Sequence, residues 1–310
     1  MDDLLSVFKN MNLEDNQEGM AYNSRVLLVD ATNLFIRSYA AVPSMDDNGN
    51  HIGGMVGFLK SLGLAIRTFK PTRTIVVFDG KGGSQRRRKL YPEYKKNRKP
   101  PVRLNRSYDL TTDEEEKENM KFQLISLVEI LENLPLTIFA VDHVEADDVI
   151  AYLSQLVELD GGSSIIYSTD KDFFQLASDS VIVYNPVKKK MILPPSYDYV
   201  KWKCIRGDKT DNIPGLPKFG DKTAEKYVKD ESLYKTLVEN KEYSEILERN
   251  KSLIELSDIS CLDEKIELNS SISFDKEKVF EMFESLEFTS LTKETYFNNF
   301  SCTFEKLCLL

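Results

Sequence analysis

Histidine is almost missing from this chain. His51 and His143 are the only two in 310 residues, which nearly excludes imidazole metal sites and His-dependent catalytic triads. Cysteine is scarce too. Cys204, Cys261, Cys302 and Cys308 lie far apart and form no CxxC pair, which argues against structural zinc and against a disulfide framework. No run approaches the roughly 18 consecutive apolar residues of a membrane helix, so no membrane partner is expected. The start, Met1-Asp2-Asp3-Leu4, lacks a signal-peptide pattern and reads as cytoplasmic. Any metal here must be held by oxygen, which favours Mg²⁺, with Mn²⁺ as a substitute.

What the chain does have is three apolar runs that each end on an aspartate. They are Val26–Val29 before Asp30, Thr74–Phe78 before Asp79 and Ser164–Thr169 before Asp170. Runs of this length, rich in β-branched residues, suit strands covered on both faces. Strands of that kind form parallel α/β sheets, whose ligand crevice lies beyond the carboxyl ends. The three acids should therefore meet at one sheet edge. Crowded carboxylates repel one another and resist burial unless cations bind among them.

The net charge of −9 would argue against a polyanionic partner, but its distribution reverses that. Residues 81–106 carry eleven Lys or Arg (Lys81, Arg86, Arg87, Arg88, Lys89, Lys95, Lys96, Arg98, Lys99, Arg103 and Arg106) against the single acid Glu93. That segment is +10 and the remainder is −19. A dense positive segment beside an acidic pocket suits an enzyme that holds a phosphate polymer and cuts it with metal ions.

The pattern predicts a polar tail over 1–24 and strands at 26–30, 74–79, 136–141, 164–169 and 181–184. Lys188–Leu193 reads as a hairpin return. Helices are predicted from Asn33 through Ile36 and Tyr39, through Met55, Phe58, Leu59, Leu62 and Ile66, and over 146–158. Between Pro43 and Gly54 lies a loop. Thr112 with Glu115 reads as a capping box opening a helix to about 133, with Phe122, Ile125, Val128, Ile130 and Leu131 as its buried stripe. Gly82, Gly83, Pro92, Pro100 and Pro101 break the basic segment. From 199 onward the pattern is helical with no convincing strand.

Further acids cluster at Glu145-Ala146-Asp147-Asp148, Asp170-Lys171-Asp172 and Asp208-Lys209-Thr210-Asp211, giving nine with Asp30 and Asp79. Each cluster alone also reads as a helix cap, a turn or a solvated loop. Their coincidence at predicted strand ends and adjoining loops favours a site for two dications about 4 Å apart. Glu145 and Asp148 can share a helix face; Asp147 joins them if Glu145 lies outside the helix.

Six motifs follow one another in a known order: VLLVDATN (26–33), VVFDGKGG (76–83), YPEYKKNR (91–98), EADDVIA (145–151), STDKDFFQL (168–176) and GDKTDNIPG (207–215). Together they resemble the 5′-nuclease superfamily of flap endonucleases and polymerase 5′–3′ exonuclease domains, and most of all the tailed-phage ribonuclease H type. The resemblance is strong over 25–225 and weaker beyond. It implies an α/β fold: a PIN-like, mostly parallel sheet flanked by helices over 25–198, with a helical arch at about 81–121. A C-terminal helical DNA-binding region over 199–310 is implied, containing a helix–three-turn–helix. Asp30, Asp79, Glu145, Asp147, Asp148 and Asp170 are implied near one metal and Asp172, Asp208 and Asp211 near the second. Arg87 and Lys95 match residues that contact the scissile phosphate; with Asp79, Asp147 and Asp170 they make the expected catalytic set. Arg86, Lys96 and Arg98 are expected to hold nucleic acid. Tyr94 and Tyr39 are candidates for stacking on an unpaired base, with plain packing as the alternative. In the Gly207–Ala224 segment Asn212, Gly215, Gly220, Lys222 and Thr223 match, and backbone amides with a bound K⁺ would grip the duplex backbone.

Two departures stand out. Lys218 replaces a glycine usual in the hairpin, and Arg86 stands where an aromatic residue is usual. The implied activity is Mg²⁺-dependent hydrolysis near the 5′ ends of DNA and RNA–DNA duplexes and flaps by a monomer, removing RNA primers in replication, in the host cytoplasm if the chain is phage-encoded. A contact with a single-stranded-DNA-binding protein is implied for residues 226–310, against simple packing. A Toprim domain would lack the basic arch. A HAD phosphatase needs D-x-D after strand one, where Asp30 is followed by Ala31-Thr32. A binding module that had lost catalysis would have lost acids that are all present here.

Overall fold

The computed structural model describes residues 23–98, 112–256, 266–270 (backbone) and 273–309. Lys99, Arg103, Arg106, Cys261 and nearly all of the expected polar tail lie outside the described residues. Its centre is strand β1 (Arg25–Asp30), buried along its whole length. On one side of β1 lie β2 (Arg73–Val77) and β3 (Thr137–Val141); on the other lie β4 (Ser163–Tyr167) and β5 (Val181–Asn185). These five run parallel. A short β6 (Lys190–Met191) closes the β5 edge antiparallel, the return expected at 188–193. The chain winds outward from β1 through β2 and β3, then crosses back to β4. The reversal lies beside β1, where α/β sheets place their ligand crevice.

Helices cover both faces. Helix α1 (Ala31–Ala41) starts on Asp30 itself, and α2 (Gly53–Phe69) is buried along most of its length. After α3 (Gln85–Leu90), α4 (Asp113–Leu131) opens with the expected capping box: Glu115 N–H donates to Thr112 Oγ1 at 3.3 Å and Thr112 N–H to Glu115 Oε2 at 2.7 Å. The buried stripe of α4 is rotated from the expected one. Phe122 and Ile125 are 52% and 50% exposed, while Gln123, Ser126, Leu127, Ile130 and Leu131 face inward. The cause is Gln123. Its Oε1 accepts from Gly54 N–H (2.8 Å) and Met55 N–H (3.2 Å), and its Nε2 donates to His51 O (2.7 Å), so it caps the start of α2. That polar duty turns the helix.

Helix α5 (Ala146–Leu159) packs with Val26, Leu28 and Ile166 on the other face. Then α6 (Tyr199–Arg206), α7 (Asp221–Lys229), α8 (Glu231–Glu239) and α9 (Lys241–Ile254) enclose a separate small core around Ile205, Ile213, Leu216, Leu237 and Leu253. Tyr94 also sits in that core.

The expected helical C-terminal region is present, but the expectation that it holds no strands is corrected. Gly207–Asp208 (β7) pairs with Ile213–Pro214 (β8) inside the turn after α6. The segment Ile266–Ser270 (β9) joins the main sheet antiparallel to β3. Helices α10 (Lys276–Ser285) and α11 (Glu294–Glu305) return to the main sheet rather than to α6–α9. Phe283, Phe288, Phe297, Phe300 and Phe304 fill the same core as α2, and Lys60 Nζ donates to Ser290 Oγ (2.9 Å). Burial of five aromatic rings is the favourable term that holds these helices there. Among the described residues no helix is long and apolar enough to cross a membrane.

Candidate active site

The acids reach the sheet edge by three routes. Asp30 ends β1 and caps α1, accepting from Asn33 N–H at 3.1 Å and from Ser168 Oγ–H at 2.7 Å. Asp79 lies two residues past β2 and accepts from Ala146 N–H (2.8 Å), which ties it to the start of α5. Past β4, Asp170 accepts from Asp172 N–H at 2.9 Å. Glu145 is the extended residue before α5, outside the helix, which is the condition for Asp147 to join Glu145 and Asp148. Carboxylate oxygens of Glu145, Asp147 and Asp148 lie within 4.8 Å of one another, as do those of Asp172, Asp208 and Asp211.

Electrostatics divide the nine acids. Burial raises Asp30 to about 7, Ser168 working against this and the nearby Asp79 and Asp170 adding to it. Burial likewise holds Asp147 well above the carboxylate range, with Asp148 and Glu145 adding repulsion that Arg87 only partly offsets. Others have cationic partners. Arg87 clamps Asp148 with two bonds (Nη1–Oδ2 2.6 Å, Nη2–Oδ1 2.8 Å) and reaches Glu145 Oε2 at 2.6 Å. Lys95 Nζ bonds Glu145 Oε1. Burial would lift Glu145, but Lys95 and Arg87 hold it below the ordinary range. Lys203 bonds both Asp172 oxygens and lies 2.7 Å from Asp208 Oδ2. Burial raises Asp172 to about 6 against the pull of Lys203. Asp208 is also opposed by burial, yet Lys203 brings it below the usual value. Asp211 takes Arg98 Nη2 at 3.0 Å.

This arrangement corrects three expectations. Arg87 is 5% exposed, its Nε donates to Leu253 O (2.8 Å), and its guanidinium is spent on Glu145 and Asp148. It lies beneath the acids and positions them, and is not presented to a phosphate. Tyr94 is 2% exposed, with its hydroxyl donating to Glu145 Oε2 at 3.0 Å. Tyr39 is 1% exposed, in the main core, and donates to Glu116 Oε2 at 2.7 Å. Neither ring has a free face on which a base could stack, so both are packing residues.

Lys95 sits on left-handed backbone (φ +56) and its N–H donates to Asp211 O at 2.9 Å, which turns its ammonium into the acid cluster. Lys96 and Arg98 are exposed, Lys96 pairing with Glu93 at 2.8 Å. Arg86 is half-buried, and its Nη1 is a buried donor without a hydrogen-bond partner.

The turn between α6 and α7 brings Gly215 against the end of α6, and a side chain at Gly207 (φ +78) would run into the Gly215 backbone, while Asn212 Nδ2 donates to Glu93 O at 2.8 Å. Lys218, Gly220, Lys222 and Thr223 are exposed around the first turn of α7, whose N-cap residue Gly220 supplies no side-chain cap. Lys218 adopts φ +70, the conformation its usual glycine would hold without strain.

Sequence reasoning missed Lys203, Ser168 and Asn33. Asn33 Oδ1 accepts from Thr169 Oγ1–H (2.8 Å) and so fixes the β4 end beside Asp30. Lys203 carries no motif; only its helical position facing Asp172 and Asp208 marks it.

Residues 25–203 match the family described as 5'-3' exonuclease, N-terminal resolvase-like domain. Over 293 residues the chain is 30% identical to a 5'-3' exonuclease of Aquifex aeolicus, covering 86% of this chain and 93% of that one. It is 31% identical over 301 residues to DNA polymerase I of Bacillus subtilis, covering 88% of this chain and 32% of the polymerase. The chain thus spans about a third of the length of that polymerase. Among solved structures, the T5 D15 protein co-crystallised with metal ions superposes with a TM-score of 0.60 at 19% identity, over 92% of this chain and 99% of that one. The bacteriophage T5 D15 flap endonuclease in a complex with DNA and metal ions gives 0.59 at 19% identity, over 92% and 100%. Shared fold, six ordered motifs and a family match over more than half its length agree: this chain belongs to the 5′–3′ exonuclease family.

Proposed function

We propose that this chain is a structure-specific 5′ nuclease. It hydrolyses phosphodiesters at or near the 5′ ends of DNA and RNA–DNA duplexes and flaps, removing RNA primers and flaps during DNA replication. The observation that carries the reading is the pair of acid groups, Glu145 with Asp147 and Asp148, and Asp172 with Asp208 and Asp211, the oxygens within each group lying within 4.8 Å of one another, beside Asp30, Asp79 and Asp170 at the sheet edge. The donor set is all oxygen, which fits Mg²⁺ or Mn²⁺. Burial raises Asp30 to about 7 and holds Asp147 well above the carboxylate range, so cations there remove an electrostatic cost. Asp30, Asp79, Glu145, Asp147, Asp148 and Asp170 would hold one ion and Asp172, Asp208 and Asp211 a second. When bound, such ions activate water and neutralise charge at the scissile phosphate.

The protein's own groups do the rest. Lys95, already aimed into the acid cluster, offsets charge on the phosphate oxygens. Arg87 keeps Glu145 and Asp148 in place. Lys96 and Arg98 attract the backbone of the cut strand, and the exposed amides around Gly220–Thr223 with Lys218 and Lys222 grip the duplex backbone without reading sequence. A potassium ion at that turn belongs to the same reading, as do action as a monomer and the release of a 5′-phosphate without any covalent enzyme intermediate.

The test uses three 5′-labelled substrates: a DNA flap, a nicked RNA–DNA duplex and a plain single strand, each with Mg²⁺ and with EDTA. Mg²⁺-dependent cutting at the junction or stepwise from the 5′ end is expected. Folded protein that binds DNA but cuts none of the three would overturn the reading.

A further inference from the structure

We propose that Lys203 is a built-in cation of the second acid group, so that the free protein takes up one divalent ion readily and the second only when the Lys203 ammonium is displaced. The inference rests on the reading above that these acids hold divalent ions.

Lys203 projects from α6 and is 6% exposed. Its ammonium bonds both oxygens of Asp172, one of them at 2.6 Å, and lies 2.7 Å from Asp208. The third member, Asp211, takes Arg98. Every carboxylate of this group therefore has a cationic partner. The neighbouring acids differ. Asp30 bonds Ser168 and the Asn33 amide, Asp79 the Ala146 amide, Asp147 the Asp148 amide and Asp170 the Asp172 amide. None of these four is ion-paired among the described residues, whereas Glu145 and Asp148 beside them are held by Arg87 and Lys95; the four unpaired acids are the ones open to a first ion.

An ion that enters among Asp30, Asp79, Asp147 and Asp170 gains their charge without displacing a cation. An ion that enters between Asp172 and Asp208 needs the oxygens Lys203 already uses. An ammonium and a dication a few ångströms apart repel strongly at low dielectric. The flexible lysine stem allows the ammonium to swing out, and an incoming phosphate offers it a new partner. Substrate binding then becomes the event that completes the metal site.

The test is a Mn²⁺ titration without nucleic acid, read by calorimetry and by electron paramagnetic resonance, on the full chain and on Lys203→Met, with folding checked by circular dichroism. Wild type should bind one ion tightly and a second at least about tenfold more weakly. Lys203→Met should bind two, the second tightened by about tenfold or more. A folded Lys203→Met whose second-ion affinity is unchanged would overturn the proposal. Should that variant fail to fold, the wild-type titration decides alone: two ions of equal affinity overturn the proposal and leave the nuclease reading standing. A wild type that binds no ion would sink the nuclease reading itself, and this inference with it.

Discussion

Replacing Asp30 by Asn should stabilise the metal-free protein while destroying its activity, and the stabilisation should grow with pH. Burial, with repulsion from Asp79 and Asp170, moves Asp30 from an ordinary 3.8 to about 7. In the unfolded chain the same carboxyl titrates near ~3.9. A folded pKa above the unfolded one means the carboxyl's contribution is intact below pH ~4 and is lost as pH rises through about 7. The full displacement corresponds to about 4 kcal/mol. Asn does not titrate and escapes that loss. Its Oδ1 can still cap α1 through Asn33 N–H, but its NH₂ cannot accept from Ser168, which costs about 1 kcal/mol. Asp30→Asn should therefore be about 1 kcal/mol less stable than wild type near pH 4 and about 2–3 kcal/mol more stable at pH 8. Asp147 and Asp172 titrate in both proteins and largely cancel in the difference. The assay is urea unfolding in EDTA from pH 4 to 8. Added Mg²⁺ should reverse the order at pH 8, because wild type gains a ligand that the variant lacks. A difference that stays constant across pH would refute the reasoning, since it would mean that Asp30 ionises at no cost.

Other outcomes follow from the same geometry. Asp79→Asn and Asp170→Asn should each lower cleavage by about a thousandfold or more while retaining DNA binding; loss of duplex binding in either would contradict the division of labour between acids and basic surface. Lys95→Ala should lower the single-turnover rate by roughly ten- to a hundredfold with little change in affinity, and an unchanged rate removes Lys95 from the chemistry. Arg87→Met should cost about 3–5 kcal/mol in chemical denaturation, because it leaves Glu145 and Asp148 buried with too little positive charge; a cost under about 1 kcal/mol would show that the guanidinium is dispensable. Lys218→Gly should stabilise the fold by roughly 1 kcal/mol by relieving left-handed strain and reduce the salt dependence of duplex binding by about one ion. A drop in melting temperature would mean that the lysine side chain packs usefully.

Much of this protein was legible because strand and cap chemistry is local. Apolar β-branched runs ending on Asp30, near Asp79 and near Asp170 fixed the parallel sheet and the edge at which the acids meet. The Thr112–Glu115 box marked the start of α4, and Glu145-Ala146-Asp147-Asp148 marked the start of α5. The return of residues 266–309 to the sheet was not legible. A five-residue strand and a set of phenylalanines at helical spacing do not say which of two available cores they enter, and only the free face of α2 and the open edge of β3 answer that. The fates of Tyr39 and Tyr94 were undecided for the same reason: an aromatic ring reads alike in sequence whether it packs or stacks.

By itself, then, the sequence determined the fold class, the acids and the basic segment, since each is set by residue type and short-range spacing. Only the tertiary structure decided how charge is distributed among them. Arg87, a member of the basic segment, lies under the acids; Lys203, in no motif, bridges Asp172 and Asp208. Ion pairing depends on which side chains come within about 4 Å across elements distant in the chain, and no local pattern encodes that proximity.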